Sequence, residues 1–422
     1  MPPSPNSSAK KPLFYGWWIV LASFFVQILQ GALLFHGFGT YILPLQSEFG
    51  WKRAEIAGVF SMVRAESGLL GPLQGWLIGR YGPRQVMRVG FVLFGIGFWQ
   101  FSRVDSLIQL YLAFALIALG ASLAGFMSIA STIANWFVRR RSTALGLMLA
   151  GMGLGGTLVP LLVYAMATVG WRATAQISAV AVVLLGLPLA QIMRRSPEDH
   201  GYLPDGDSAP LDKGEEPQEE PAFSVRQALR TPAFWLLSLG HASALLAVGT
   251  VLAHQIPHMV EGLGMSQKEA GLNVALLVWV TMMGQLSGGY LGDRVNKRLV
   301  MFACMWLHVA GLLVFALVDS VWGARIFAVL HGTAWGVRGT LINAIRADYF
   351  GRASYAAISG YASLIIMMGM TLGPLFAGFL RDWLGNYQLA FIVLAGLVGL
   401  GSGAFLAARK PVPPAKASNP AS

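Results

Sequence analysis

Apolar runs of roughly 20 residues recur from one end of the chain to the other, with only short polar stretches between them. Such a run is what a helix needs to cross the hydrocarbon core of a bilayer, where every backbone polar group must be satisfied within the helix. Twelve are read, near 15–43, 54–78, 85–103, 107–133, 142–168, 171–194, 232–258, 268–292, 298–318, 322–346, 354–380 and 386–408. Of the 422 residues, 55% are hydrophobic and 12% charged, against about 25% charged in an ordinary soluble domain. That balance excludes a soluble enzyme, a disordered chain and a nucleic-acid-binding protein. Lys10 and Lys11 ahead of the first run raise the alternative of a signal peptide. The run from Phe14 to Leu34 is too long for an h-region and no small-residue cleavage site follows, so it reads as the first span. The single cysteine, Cys304, permits no internal disulfide and reads as a packing residue.

The net charge of +11 is a topology signal, because the basic residues fall in small groups between apolar runs. One set of alternate loops holds 21 of the 30 lysines and arginines, Arg346 counted among them, and the other set holds 7. Cytoplasmic loops carry the excess, so both termini and the segment after the sixth span are expected in the cytoplasm, with the chain integral to the inner (plasma) membrane. The expected organisation is a tail over 1–13, a six-helix bundle over 14–195, a linker over 196–231, a second six-helix bundle over 232–408 and a tail over 409–422. Within the linker, 196–222 is acidic and proline-containing and is expected to be flexible. Residues 223–229 read as a short amphipathic helix at the membrane interface.

The two halves match at a constant offset of 214 without a gap. Gly50 pairs with Gly264, Glu55 with Glu269, Gly75 with Gly289, Arg80 with Arg294, Arg84 with Arg298, Gly146 with Gly360 and Pro160 with Pro374. Six helices repeated in the same orientation form a parallel repeat about an axis along the membrane normal. That is a transporter architecture, with the substrate site at mid-membrane between the halves.

The loop after the second span reads Gly75-Trp-Leu-Ile-Gly79-Arg80-Tyr-Gly82-Pro-Arg84, and its repeat copy reads Gly289-Tyr-Leu-Gly-Asp293-Arg294-Val-Asn296-Lys-Arg298. Both are similar to the G-x-L-x-D-R-x-G-x-R signature of the major facilitator superfamily, which the chain resembles over 14–408. Tyr15-Gly-Trp17-Trp18 and the stretch from Trp136 through Arg139, Arg140, Arg141 and Gly146 to Gly151 further resemble the bacterial monocarboxylate porter and oxalate–formate antiporter branch. The resemblance implies an all-α membrane fold and a gate built from Gly75, Arg80, Gly82, Arg84, Gly289, Asp293, Arg294 and Arg298. The arginines are expected to reach acids or helix-terminal carbonyls of the opposite half. Gly79 stands where the signature has Asp. The lysine that human-type relatives carry in the first helix, and their charged pair in the eighth, have no counterpart at those places.

Three ionisable residues fall deep inside predicted spans: Arg64, Glu66 and Arg338. Each costs about 2.5–3.5 kcal/mol at the membrane centre on insertion scales, so each needs a partner or a task. Arg338 shares a helical stripe with Trp335 and His331, and an arginine fork beside an indole suits a carboxylate. Arg338, Trp335, His331 and Arg64 are therefore the candidate substrate-binding residues. Glu66, the only carboxylate near mid-membrane, is the candidate proton-coupling site. The expected activity is movement of a small monocarboxylate-like anion by alternating access, coupled to a proton or a counter-solute, by a monomer in the lipid bilayer. Export of drugs or amphiphiles on the same fold is the alternative. No cofactor and no metal are expected: the sequence shows no phosphate-binding loop and no H-E-x-x-H spacing, and its one D-x-D, Asp205-Gly-Asp207, lies in the linker.

Overall fold

The computed structural model describes residues 13–207 and 223–413, and those residues form helices and no strand. α1 (Tyr15–Gln30) runs through a π-helical turn, Gly31–Phe35, and a 3-10 turn, Phe38–Tyr41, into α2 (Ile42–Phe49). The second span is α3 (Arg53–Leu69) and α4 (Gly71–Tyr81), the third α5 (Pro83–Phe101), and the fourth α6 (Leu107–Ala124) with α7 (Phe126–Trp136). α8 (Arg141–Gly156) and the start of α9 (Val159–Ile192) make the fifth; Gly170, at φ +82°, breaks α9, and its remainder is the sixth. After the short α10 (Val225–Leu229), α11 (Pro232–Pro257), α12 (Gln267–Gly292), α13 (Lys297–Leu317), α14 (Val321–Phe350), α15 (Tyr355–Leu384) and α16 (Gln388–Ala407) are spans seven to twelve. Eight stretches, with Arg141–Ile192 as one, are long and apolar enough to cross a membrane by composition alone. The second, third and tenth spans are more polar, and two of them line the cavity described below.

The repeat is visible in the roles of the paired residues. Gly50 and Gly264 both take left-handed φ, +68° and +65°, which a side chain would resist. Glu55 and Glu269 each accept the backbone N–H three residues earlier, from Lys52 at 2.8 Å and Ser266 at 3.0 Å, opening α3 and α12. One apolar core is built mainly from residues 19–193 and another from 223–408. Large side chains such as Trp18, Phe25, Trp322 and Phe379 stay exposed around the outside, as a lipid-facing belt requires. The halves meet where α8 packs on α12 and where α3 and α4 pack on α15.

One linker expectation is corrected. Residues 196–207 are ordered against the first half: Asp205, at φ +61°, accepts the N–H groups of Val138, Arg139 and Arg140 at 3.1, 2.9 and 3.2 Å. One short carboxylate thus caps the turn into α8, and Asp tolerates the left-handed backbone that aims it there. The remainder of the expected flexible stretch, 208–222, lies outside the described residues. α10 is capped by Ser224, and the buried Phe223 just before it packs edge-on against Phe350 in the second core.

Candidate substrate cavity and gate

Three breaks in the first half open a cavity between the halves. A π turn adds a residue to a helical turn and swings the side chains that follow, and the one at Gly31–Phe35 brings Leu34 and Phe35 to the cavity wall. The break at Gly125 brings Phe126 and Met127 there. The break at Leu70–Gly71 lies between Glu66 and Gln74, which also line it. From the second half, α14 supplies Trp335, Arg338, Asn343 and Arg346, and α11 supplies His241. The space is about 470 Å³, of the size that holds a small ligand.

Arg338 has no solvent exposure. Its Nη1 donates to His241 Nδ1, while Nε and Nη2 have no partner among the described residues. Glu66 faces the cavity from the first half, and its Oε1 is buried without a partner. Gln30 is tied by Nε2 to Ala121 O at 2.8 Å, and Gln74 donates to Ser122, so these amides are held in place as wall. Buried polar groups are ordinarily satisfied. Unsatisfied atoms of Glu66 and Arg338 lie around this one space.

One expected residue falls elsewhere. His331 is not part of the cavity: its Nδ1 lies 3.0 Å from Nδ1 of His308, and its ring packs on Phe327, in the core behind α14. A helical stripe is wide, and the seven residues separating His331 from Arg338 carry it past the edge of the opening. The side chain of Arg64 lies outside the described residues. Arg346, counted as a loop charge, is instead 5% exposed in the cavity wall, with no hydrogen bond or ion pair among the described residues. The signal was present in the sequence: Trp335, Gly339, Asn343 and Arg346 follow helical spacing on one face. His241 carried no such signal.

The halves are clamped at the end that carries the termini. Asp293 accepts the N–H groups of Ser142 and Thr143 at 2.8 and 3.0 Å and the Thr143 hydroxyl at 2.6 Å, so it caps the N-terminus of α8 from the other half. Arg141, 3% exposed, reaches across to Asp348 at 2.6 Å, which Lys297 also holds at 2.9 Å. Arg352 joins Glu198 at 2.6 Å and Asn135 O at 3.0 Å. At the opposite end the ion pairs stay within a half, Arg172 with Glu48 and Asp105, and Arg381 with Glu261. Gly75 and Gly289 lie at the crossings themselves, and Gly82 takes φ +80° to turn α4 into α5. The paired arginines do not cross: Arg84 donates to Met193 O at 2.8 Å, and Arg298 to Phe405 O at 3.2 Å and to Leu406 O, each closing the last helix of its own half. Arg294 lies over its neighbour Tyr290, and Arg80 is exposed.

Two six-helix bundles around a cavity with charged side chains in its wall, held together at one end, are the architecture of a membrane transporter. The family model described as Major Facilitator Superfamily matches residues 19–255 and 237–422, and the chain belongs to that family. Among curated relatives it is 28% identical over 418 residues to monocarboxylate transporter 11 of Mus musculus, covering 94% of this chain and 88% of that one. It is 24% identical over 401 residues to monocarboxylate transporter 13 of Bos taurus, covering 93% and 89%. Among solved structures, the E. coli fucose:proton symporter has a TM-score of 0.72 at 14% identity, over 94% of this chain and 98% of that one. The human organic anion transporter MFSD10 has a TM-score of 0.66 at 17% identity, over 93% and 97%. At these identities the solved structures speak to the fold alone.

Proposed function

We propose that the protein is a secondary active transporter of a small organic anion of the monocarboxylate kind, working by alternating access. The observation that carries this reading is Arg338, a wholly buried guanidinium in the cavity wall with Nε and Nη2 unpartnered. A carboxylate accepts two parallel N–H bonds from that edge, and Trp335 and Phe126 offer apolar walls for its carbon chain. The names of the curated relatives support the same substrate class. Glu66 is the proton-binding group: it lines the same cavity, and neutralising it removes a negative charge that repels the bound anion. Arg64 stands as a second anchor on sequence position alone. The contacts of Asp293, Arg141 and Arg352 close the termini-bearing end, which the loop charges assign to the cytoplasm of the inner membrane, and they break when that end opens. Both walls of the cavity come from one chain, so a monomer suffices.

The test is uptake of radiolabelled lactate, pyruvate, oxalate or formate into proteoliposomes under an imposed pH gradient. Arg338→Lys keeps the charge but loses the fork, and lowers uptake about 10- to 150-fold, the worth of a charge-assisted bond of about 1.5–3 kcal/mol. Glu66→Gln abolishes the dependence on the pH gradient while exchange continues. Wild-type rates for all four anions in Arg338→Ala make that arginine structural and overturn the reading.

A further inference from the structure

The second buried arginine of the cavity extends this reading to a particular substrate class, and the extension rests on Arg338 as the first anchor. Arg346 follows Arg338 by eight residues, so their backbones stand about 12 Å apart along α14. The structure shows how this protein treats a buried arginine with a structural task. Arg141, 3% exposed, bonds Asp348 at 2.6 Å, Phe137 O at 2.9 Å and Ala134 O at 3.1 Å. Arg346 is as deeply buried and has no such partner among the described residues, and its Nη2 is fully enclosed and unbonded. Ser359 lines the same cavity; its buried hydroxyl makes no hydrogen bond of ordinary geometry and lies near Tyr355, the neighbour of Arg346. Asn343, the other polar neighbour on the wall, spends its amide N–H on Gly339 O at 2.8 Å. The cavity therefore presents two cationic stations, Arg338 level with His241 and Arg346 nearer the gate. Glu66 is the one carboxylate facing them among the described residues.

We propose that Arg346 and Ser359 form a second anion subsite, and that the preferred substrate carries a carboxylate at each end of a short aliphatic chain, spanning Arg338 and Arg346. Charge balance points the same way. With Glu66 ionised the described wall carries one net positive charge, which leaves a bound dianion uncompensated. With a proton on Glu66 it carries two, which a dianion neutralises. A dicarboxylate would thus enter together with one proton, and a monocarboxylate would use Arg338 alone.

The experiment measures binding of oxalate, succinate, glutarate and adipate to the full chain in lipid nanodiscs by calorimetry, each against the monocarboxylate of equal length. The expected result is that a longer dicarboxylate binds at least about tenfold tighter than its monocarboxylate partner, the worth of one further charge-assisted bond. Oxalate, too short to span, shows no such gain. Arg346→Gln weakens the dicarboxylate at least about tenfold more than its monocarboxylate partner and so brings the two series together; Arg346→Lys keeps part of the preference. Equal affinity of the two series, equal weakening of both by Arg346→Gln, or displacement of adipate by sulfate at matching concentrations overturns the spanning site. Arg338→Gln separates the two readings, because it weakens both series. If the wild type binds neither series, the organic-anion reading falls and takes this one with it.

Discussion

The two crossings that join the halves are copies of each other, and they differ by one carboxylate. Where α12 lies on α8, a Cβ added at Gly289 would sit 2.9 Å from Ser142 O and 3.1 Å from Thr143 Cα. Where α4 lies on α15, a Cβ at Gly75 would sit 2.6 Å from Ala356 O and 2.7 Å from Ala357 Cα, the same positions 214 residues apart. Gly146 presses on the Gln285 backbone and Gly360 on the Gly71 backbone in the same register. Small residues allow both crossings. The first is then fastened by Asp293 on the α8 N-terminus. The second has Gly79 at the matching place, and Ser354 leaves the α15 N-terminus without a side-chain cap. Close packing sets where the halves touch, and charge sets how firmly each contact holds. The closure of this end is lopsided, and the α4–α15 side has the fewer bonds.

The largest way to break that comparison is at the strong side. Asp348→Ala leaves Arg141 buried without its acid, which costs about 3–5 kcal/mol. The purified protein should lose thermal stability sharply, and spin labels on the two halves at the termini-bearing end should move apart. A wild-type melting temperature would show the pair to be idle. Asp293→Ala removes three bonds to α8 and should cost about 2–3 kcal/mol, a shift of roughly 30- to 150-fold toward separation of the halves by the same label distances. Its effect should be larger than that of any substitution at Gly79. The smallest effect is the most pointed. A Cβ at Gly79 meets nothing within 4 Å, so Gly79→Asp fits, and it places a carboxylate where Ala356 and Ala357 present free helix-terminal N–H groups. The gain should be about 1 kcal/mol toward the closed gate, with slower uptake and a small rise in melting temperature. A carboxylate there that leaves both unchanged would mean that packing alone governs this crossing.

Much of this was legible in the residues. The repeat puts Gly75 and Gly289 at one offset, and both lie at crossings where backbone approach tolerates only small residues. Arg338 and Trp335 were legible because a charge deep in an apolar span has to be accounted for. The partners were not. Arg84 and Arg298 were expected to cross between halves and instead close their own last helices, since a carbonyl at a helix end is as good an acceptor as a distant acid. Arg346 read as a loop charge because it follows the apolar part of its span by a single turn.

The sequence by itself determined twelve spans, their pairing by repeat and the chemistry available at mid-membrane, because hydrophobic length and charge placement are local properties of the chain. Only the tertiary structure decided that Arg338 and Arg346 share one cavity with Glu66, that His331 turns away to His308, and that Asp205 fastens the linker to the first half. Those outcomes depend on which helix faces meet across long separations in sequence. Near the crossings a carboxylate settles on whichever free N–H groups the packing brings within reach.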